Sequence, residues 1–492
     1  VEEPTFDIVV VGGGHAGCES ALAAARLGAR TALVTIRKDR IAEMSCNPAI
    51  GGLAKGQIVR EIDALGGEMA RVADAAAIQY RLLNRSKGPA VRSPRAQCDR
   101  RGYARAMQEV LRRQENLSII EDAAAGILTH GDRVVGVRCE SGRAYRARAV
   151  VLTTGTFLRG ILHLGSRTWS GGRFDEPAAE RLSGSLQRLG VRLGRLKTGT
   201  PPRVDGRTLD YRPLAEQPSD PVPVRFAFDS GGEPFDGVSC WLTRTTPAIH
   251  EAILANLDRA PLYSGQITST GPRYCPSIEV KVVRFPDRDH HLVFLEPEGR
   301  NTHVVYCNGI ATSVPEDVQD RIVHGIPGME GAKIVRYGYA IEYDFVPPTQ
   351  TQATLESKVV SGLYLAGQIN GTSGYEEAAG QGLLAGINAA RVLAGRDPVV
   401  LRRDQAYIGV LVDDLVTKGT EEPYRMFTSL AEYRLLLRHD NADRRLAPVG
   451  REVGLVSDAA WSRVREKERQ IASARAVLRR VRRGGRTLES LL

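Results

Sequence analysis

Gly12, Gly14 and Gly17 stand between an apolar run and a run of small residues. No other feature constrains the fold of this chain as tightly. Phe6-Asp7-Ile8-Val9-Val10-Val11 has the continuous apolar character of a parallel strand buried on both faces. Cys18 to Leu27 reads as a helix of small residues stopping at Gly28, and Thr31 to Thr35 as the next strand. G-x-G-x-x-G at such a strand-to-helix turn allows a tight turn and lets the backbone approach a pyrophosphate at the helix N-terminus. The pattern predicts a β-α-β dinucleotide site built from Gly12, Gly13, Gly14, His15, Ala16 and Gly17. An acidic residue usually bonds the ribose about 20 residues further on. Here the second strand ends Thr35-Ile36-Arg37, which leaves a threonine hydroxyl to do part of that work.

Two later segments complete the pattern. Ala149-Val150-Val151-Leu152-Thr153-Thr154-Gly155 reads as a return strand of the same sheet. Gly362-Leu363-Tyr364-Leu365-Ala366-Gly367-Gln368 reads as a short strand entering a glycine-rich loop, followed by a helix opening at Tyr375 with Gly380, Gly382 and Gly386 along its small faces. Flavoproteins of the two-part type place an early segment on the ADP half and a late one over the flavin, so three ordered pieces favour FAD over NAD as the tightly held dinucleotide. The 492 residues suffice for about three domains at ~100–200 residues each. We expect an α/β, Rossmann-like FAD-binding fold in two stretches, 1–199 and 272–397. A proline-broken insertion fills 200–271 and a helical region fills 398–492. In the last helix Val464, Ile471 and Leu478 recur every seven residues as one apolar stripe on a basic surface.

Charge and cysteine content narrow the function. The net charge is +10, with 58 Arg against nine Lys, and arginine suits phosphate forks and base stacking. Residues 81–113 and 463–486 each carry ten basic and two acidic side chains, so they hold +16 between them and the rest of the chain −6. Charge gathered in this way is the footprint of a polyanion partner. The seven cysteines are odd in number, widely spaced and without CxxC, which excludes a disulfide framework, a zinc ribbon and a dithiol pair. His290-His291 beside Asp287 and Asp289 has the spacing of a turn with no second ligand pair, so no metal site is expected. Gly51-Gly52-Leu53-Ala54-Lys55-Gly56 lacks the full P-loop pattern, although Lys55 could still meet a phosphate. No stretch reaches the ~18 apolar residues of a membrane span. Together with an acidic N-terminus unlike a signal peptide, this makes the cytoplasm the expected address.

Several stretches are more specific. They are Met44-Ser45-Cys46-Asn47-Pro48-Ala49-Ile50-Gly51-Gly52, Ser86-Lys87-Gly88-Pro89-Ala90-Val91-Arg92 with Arg95-Ala96-Gln97, and Gly194 to Arg203 (GRLKTGTPPR). Gly271-Pro272-Arg273-Tyr274-Cys275-Pro276-Ser277-Ile278-Glu279 and Pro423-Tyr424-Arg425-Met426-Phe427-Thr428 complete the set. Together they resemble the MnmG (GidA) family of tRNA uridine 5-carboxymethylaminomethyl modification enzymes, from residue 6 to about residue 456. The chain departs from the family pattern at Leu430, where arginine is usual, and at Cys98, where alanine is usual. Members usually continue into a C-terminal helical domain. With Leu492 closely following the basic helix, that domain is expected to be incomplete here.

The resemblance implies an FAD enzyme, homodimeric, acting with the GTPase MnmE on C5 of the wobble uridine of tRNA. It implies methylene-tetrahydrofolate as carbon donor and NAD(H) as reductant. Carried over by motif, FAD would touch Gly12 to Gly17, Ala124, Ser183 and Gln368. The NAD-type segment would run from Gly271 to Phe285, with Gly271, Pro272, Arg273 and Tyr274 at its start. Lys87, Arg92 and Arg95 are candidates for tRNA or folate. Cys46 and Cys275 are the candidate catalytic thiols, because uracil C5 becomes nucleophilic only after addition at C6. A thiolate can add there, or serve as the base that removes the C5 proton afterwards. The residues leave open which thiol takes which role. A folate- and FAD-dependent tRNA uracil methyltransferase and a flavin-containing RNA-binding scaffold are the alternative readings.

Overall fold

The computed structural model describes residues 4–230 and 235–492. Strand Ile8–Val11 is the middle member of a five-stranded sheet. Ala149–Leu152 and then Leu363–Leu365 lie on one side of it, Thr31–Thr35 and then Leu117–Glu121 on the other. All neighbours run parallel; Val9 lies between Val150 and Ala32, and Val151 pairs with Tyr364. Segments from the beginning, middle and end of the chain thus become adjacent. The three central strands are buried at every position, as apolar runs covered on both faces must be.

Helix His15–Arg26 starts inside the glycine motif, three residues before the Cys18 start expected from composition. Gly17 explains this: a Cβ there would stand 1.8 Å from the carbonyl oxygen of Gly12, so only glycine lets the first helical turn fold back onto the strand end. Helix Tyr375–Leu393 packs closely across it. Added Cβ atoms at Gly382 and Gly386 would meet the carbonyls of Ala16 and Ser20 at 2.0 and 2.4 Å, so the small face of this helix exists to bring two backbones together.

The insertion is larger than its proline content suggests. A six-stranded sheet joins Ala215–Gln217, Cys240–Arg244, Leu292–Pro297, Val304–Asn308, Arg203–Asp205 and Ile334–Arg336 in that order. Trp241 pairs with Leu295 and Val204 with Val305, and Val204, Ile249, Ile278, Val305 and Ile322 share one core. The boundary expected at 271 therefore falls inside a single sheet that runs from 203 to 336. Local composition hides this, because the strands before and after 271 are complementary only when paired.

Beyond residue 398 the helices Tyr407–Asp413, Ala442–Val453 and Asp458–Arg480 appear. Tyr407, Leu411, Met426 and Leu446 join the core that also holds Leu22 and Ile58, so the first part of this region packs on the nucleotide-binding body. Of the apolar stripe on the last helix, Val464 is buried while Ile471 and Leu478 remain partly exposed. Among the described residues no helix is long and apolar enough to cross a membrane.

Candidate active site

A cavity opens where the parallel strands end, the position at which α/β sheets take their ligands. Gly12 to Ala16 follow the first strand into it and Thr35 to Arg37 the second; Thr153 to Phe157 and Ala366 to Gln368 supply the next wall. Ala124 lies on the rim from the hairpin strand Ala124–His130. The cavity also takes in Cys46, Cys275, Arg95, Tyr339 and Arg425, from five further segments.

The lining fits a dinucleotide. Gly14 is in extended backbone at φ −77°, and a Cβ placed on it would meet nothing within 4 Å, so open space lies at the helix N-terminus where unpaired N–H groups attract phosphate. Thr154 Oγ1 and His15 Nε2 are buried without a hydrogen-bond partner. Buried polar atoms of that kind ask for a ligand. Burial also holds the His15 imidazole down to about 4, so it faces the cavity neutral. Thr35 lines the site where an acidic ribose ligand is usual, with Asp122 also on the wall.

Cys46 and Cys275 lie 229 positions apart in sequence and line the same cavity. Cys46 is half-buried: its N–H donates to the Tyr375 hydroxyl at 2.8 Å, and its Sγ lies 3.0 Å from the Tyr306 hydroxyl. Cys275 is exposed. Arg425 lines the cavity together with both thiols. The other five cysteines are buried, and burial pushes the Cys139, Cys240 and Cys307 thiols up to about 12. Those thiols are packing groups.

Other expected site residues divide. Gly12, Gly13, Gly14, His15, Ala16, Ala124, Gln368, Pro272 and Arg95 line the cavity. Gly17 lies beneath it as the helix contact already described. Ser183 is outside the lining: it is fully buried and donates to Asp344 at 2.8 Å, while its neighbour Leu182 faces the cavity. Gly271, Arg273 and Tyr274 also lie outside the lining. Arg273 pairs with Glu422 at 3.0 Å, and the Tyr274 ring sits 4.1 Å from that of Phe427. Lys87 and Arg92 stand apart on the surface side, with Arg92 Nε donating to the Lys87 carbonyl. Arg95 is bound to Glu296 at 2.6 Å. His290 is tied to the adjacent Asp289, and among the described residues no three His, Cys, Asp or Glu side chains converge as metal ligands.

Lys55 lines the cavity, but its ammonium is already held by Glu376 at 2.8 Å and Glu377 at 3.0 Å. The phosphate contact considered for it is replaced by this buried cluster, which in turn accepts the N–H groups of Gly51 and Met426. Burial would raise the Glu376 carboxyl, and Lys55 pulls it below the usual range instead. Lys55→Met should therefore leave two buried carboxylates uncompensated and cost about 3–5 kcal/mol. Without Lys55, burial would carry the Glu376 carboxyl above its unfolded value, so the loss grows as pH rises. Urea unfolding at mildly acidic and alkaline pH measures it; equal stability to the parent would refute the assignment. Tyr306, Tyr375, Glu376 and Glu377 carry no motif that points to chemistry, and only their contacts reveal them.

The fold and the cavity define a Rossmann-type protein whose cavity at the strand ends holds the glycine turn together with Cys46 and Cys275. The model of the family described as glucose inhibited division protein A matches residues 7–397, and the chain belongs to that family. It is 55% identical over 476 residues to the tRNA uridine 5-carboxymethylaminomethyl modification enzyme MnmG of Salinibacter ruber, covering 96% of this chain and 72% of that one. The enzyme of the same name from Syntrophotalea carbinolica is 56% identical over 477 residues, covering 97% and 77%. Among solved structures, GidA of Aquifex aeolicus in its form I crystal superposes with a TM-score of 0.96 at 51% identity, over 100% of this chain and 82% of that one.

Proposed function

We propose that this chain is an FAD-dependent enzyme that builds the carboxymethylaminomethyl or aminomethyl group on C5 of the wobble uridine of tRNA. The observation that carries this reading is the convergence of Cys46 and Cys275 on one cavity with the glycine turn and Gln368. The names of the relatives support the substrate. FAD, held through Gly12 to Ala16, Ala124 and Gln368, would supply the redox chemistry of the carbon transfer. NAD(H) as reductant, methylene-tetrahydrofolate as carbon donor, the GTPase MnmE as partner, a homodimer and a cytoplasmic setting complete the proposal. In it, one thiolate adds to C6 of the uracil ring, the resulting C5 enolate takes the folate-derived carbon, and the other thiolate takes the C5 proton as the C6–S bond breaks and the first thiolate leaves. Arg425, on the wall of the same cavity, would offer positive charge to the developing enolate. Purified protein incubated with tRNA, methylene-tetrahydrofolate, NADH, glycine or ammonium, and MnmE with GTP tests the reading by mass spectrometry of the wobble nucleoside. A methylated C5 instead of an aminomethyl-type group would favour the methyltransferase alternative. An unmodified base with bound flavin would leave the scaffold.

The first basic window supports tRNA as the polyanion, in a restricted way. Of its ten cations, Arg81, Arg85, Arg95, Arg100, Arg112 and Arg113 have carboxylate partners within the chain. That leaves Lys87, Arg92, Arg101 and Arg105; of these, Lys87 and Arg92 lie in the motif whose resemblance suggests tRNA or folate, and we take them as phosphate contacts. Replacing both with alanine should reduce the slope of log affinity against log salt by about 1.4–1.8, at ~0.7–0.9 per lost phosphate contact. Filter binding of tRNA over a salt series measures the slope, and an unchanged one assigns the charge to a solvated face.

A further inference from the structure

The environment of Cys46 contains a side chain that neither composition nor motif singles out. We propose that Tyr306 is the positioning residue of the Cys46 thiol, its hydroxyl holding the sulfur towards the cavity and donating to it when it is ionised. The inference rests on the reading of Cys46 as a reacting group.

Tyr306 comes from the strand Val304–Asn308 of the inserted sheet, so that sheet supplies a contact to a thiol on the cavity wall. Its hydroxyl is 3.0 Å from Cys46 Sγ, and either atom can donate. The ring is almost wholly buried, and burial, with the neighbouring Cys46 next, holds the phenol well above its usual range. The hydroxyl therefore keeps its proton throughout the pH range in which a thiol ionises. A neutral donor beside a sulfur that can ionise favours the thiolate, because a hydrogen bond to a charged acceptor is stronger than one to a neutral acceptor.

Tyr306 is itself fixed. The Arg203 guanidinium lies 4.8 Å from the centre of its ring, an attractive cation–π arrangement. Arg203 is fully buried and tied to Glu298 at 3.2 Å, to the carbonyls of Pro201 and Ser45 at 2.8 and 3.1 Å, and to the Thr200 hydroxyl. Ser45 precedes Cys46, so one arginine braces both the loop that carries the thiol and the ring that touches it. Tyr375 performs a different task on the same residue: its hydroxyl accepts the Cys46 N–H at 2.8 Å and so anchors backbone, not sulfur. The two tyrosines separate positioning of the loop from tuning of the thiol.

The test compares Tyr306→Phe with Tyr375→Phe in the flavin-loaded protein without tRNA. Alkylation of Cys46 by iodoacetamide is followed by peptide mass spectrometry across a pH series, with flavin absorbance and thermal unfolding checking that both variants fold. Tyr306→Phe should slow alkylation at neutral pH by about tenfold and move the profile to higher pH, while Tyr375→Phe leaves its midpoint in place. An unmoved profile in Tyr306→Phe, or an equal movement in both variants, overturns the proposal. The readout needs no turnover, so it is separate from the test of the underlying reading, which fails if Cys46→Ser modifies tRNA normally.

Discussion

Cys46→Ser and Cys275→Ser should each retain flavin and bind tRNA with unchanged affinity, yet lose uridine modification by ~10²–10⁴-fold, the scale of a removed acid–base or nucleophilic group. Serine keeps nearly the same shape, and neither residue is deeply packed: Cys46 is half-buried and Cys275 exposed. The fold therefore has little reason to respond. The chemistry does, because a serine hydroxyl is scarcely ionised where a thiol is partly ionised. The two variants should also differ from each other. The one lacking the nucleophile loses any covalent protein–RNA adduct, detectable as a shifted band with radiolabelled tRNA in denaturing gels. The one lacking the base can accumulate that adduct. Serine variants of Cys139, Cys240 and Cys307 form the contrast set. Their thiols are buried, so any loss there should follow stability and not turnover. Normal modification by both Cys46→Ser and Cys275→Ser would mean that another group activates C5.

Gly14→Val should yield a folded protein that purifies without flavin. Three glycines of the motif look equivalent in sequence, but the structure distinguishes them. A Cβ on Gly12 would fall 2.5 Å from the Thr153 carbonyl at a backbone φ of +106°, and one on Gly17 would fall 1.8 Å from the Gly12 carbonyl. Substitution at either position disturbs the protein itself. Gly14 has an extended backbone that valine adopts readily, and its missing side chain faces open space at the helix N-terminus. Valine there occupies the place reserved for the pyrophosphate and little else. Flavin absorbance per mole should fall to background. Thermal unfolding should match that of parent protein stripped of flavin, since bound ligand stabilises only the form that binds it. Gly17→Val, in contrast, should be recovered poorly or not at all. Full flavin absorbance in Gly14→Val would move the dinucleotide elsewhere.

The nucleotide-binding half was legible because its signals are local. The runs at 6–11, 31–35 and 149–155 read directly as strands of one sheet, and the structure forms strands at 8–11, 31–35 and 149–152 within them; the glycine spacing marks the turn between the first strand and the first helix. The start of that helix was misjudged by three residues because the glycines were read as turn alone, whereas Gly17 already belongs to the helix. The insertion was misjudged more widely. Its strands lie between prolines and pair across intervals of tens of residues, as Trp241 does with Leu295, and no local period reveals such a partner.

The candidate site divides along the same line. Cys46 and Cys275 stood out by their unusual neighbours and by resemblance, and a cavity shared by both is where the structure places them. Ser183 and Lys55 could not be judged in sequence, because the question for each was whether its polar head was free. One is spent on Asp344 and the other on Glu376 and Glu377. Tyr306 gave no signal at all, since an alternating strand does not say which of its residues will touch a thiol 260 positions earlier.

By itself, then, the sequence determined the β-α-β unit and its glycine turn, which follow from backbone sterics within a few neighbouring residues, and it offered the two thiols as candidates largely through resemblance. Only the tertiary structure decided which glycine faces open space in the cavity, which cations are already neutralised and which tyrosine meets Cys46. These are properties of distance between segments far apart in the chain, and they come into being when parallel strands and an inserted sheet close around one cavity.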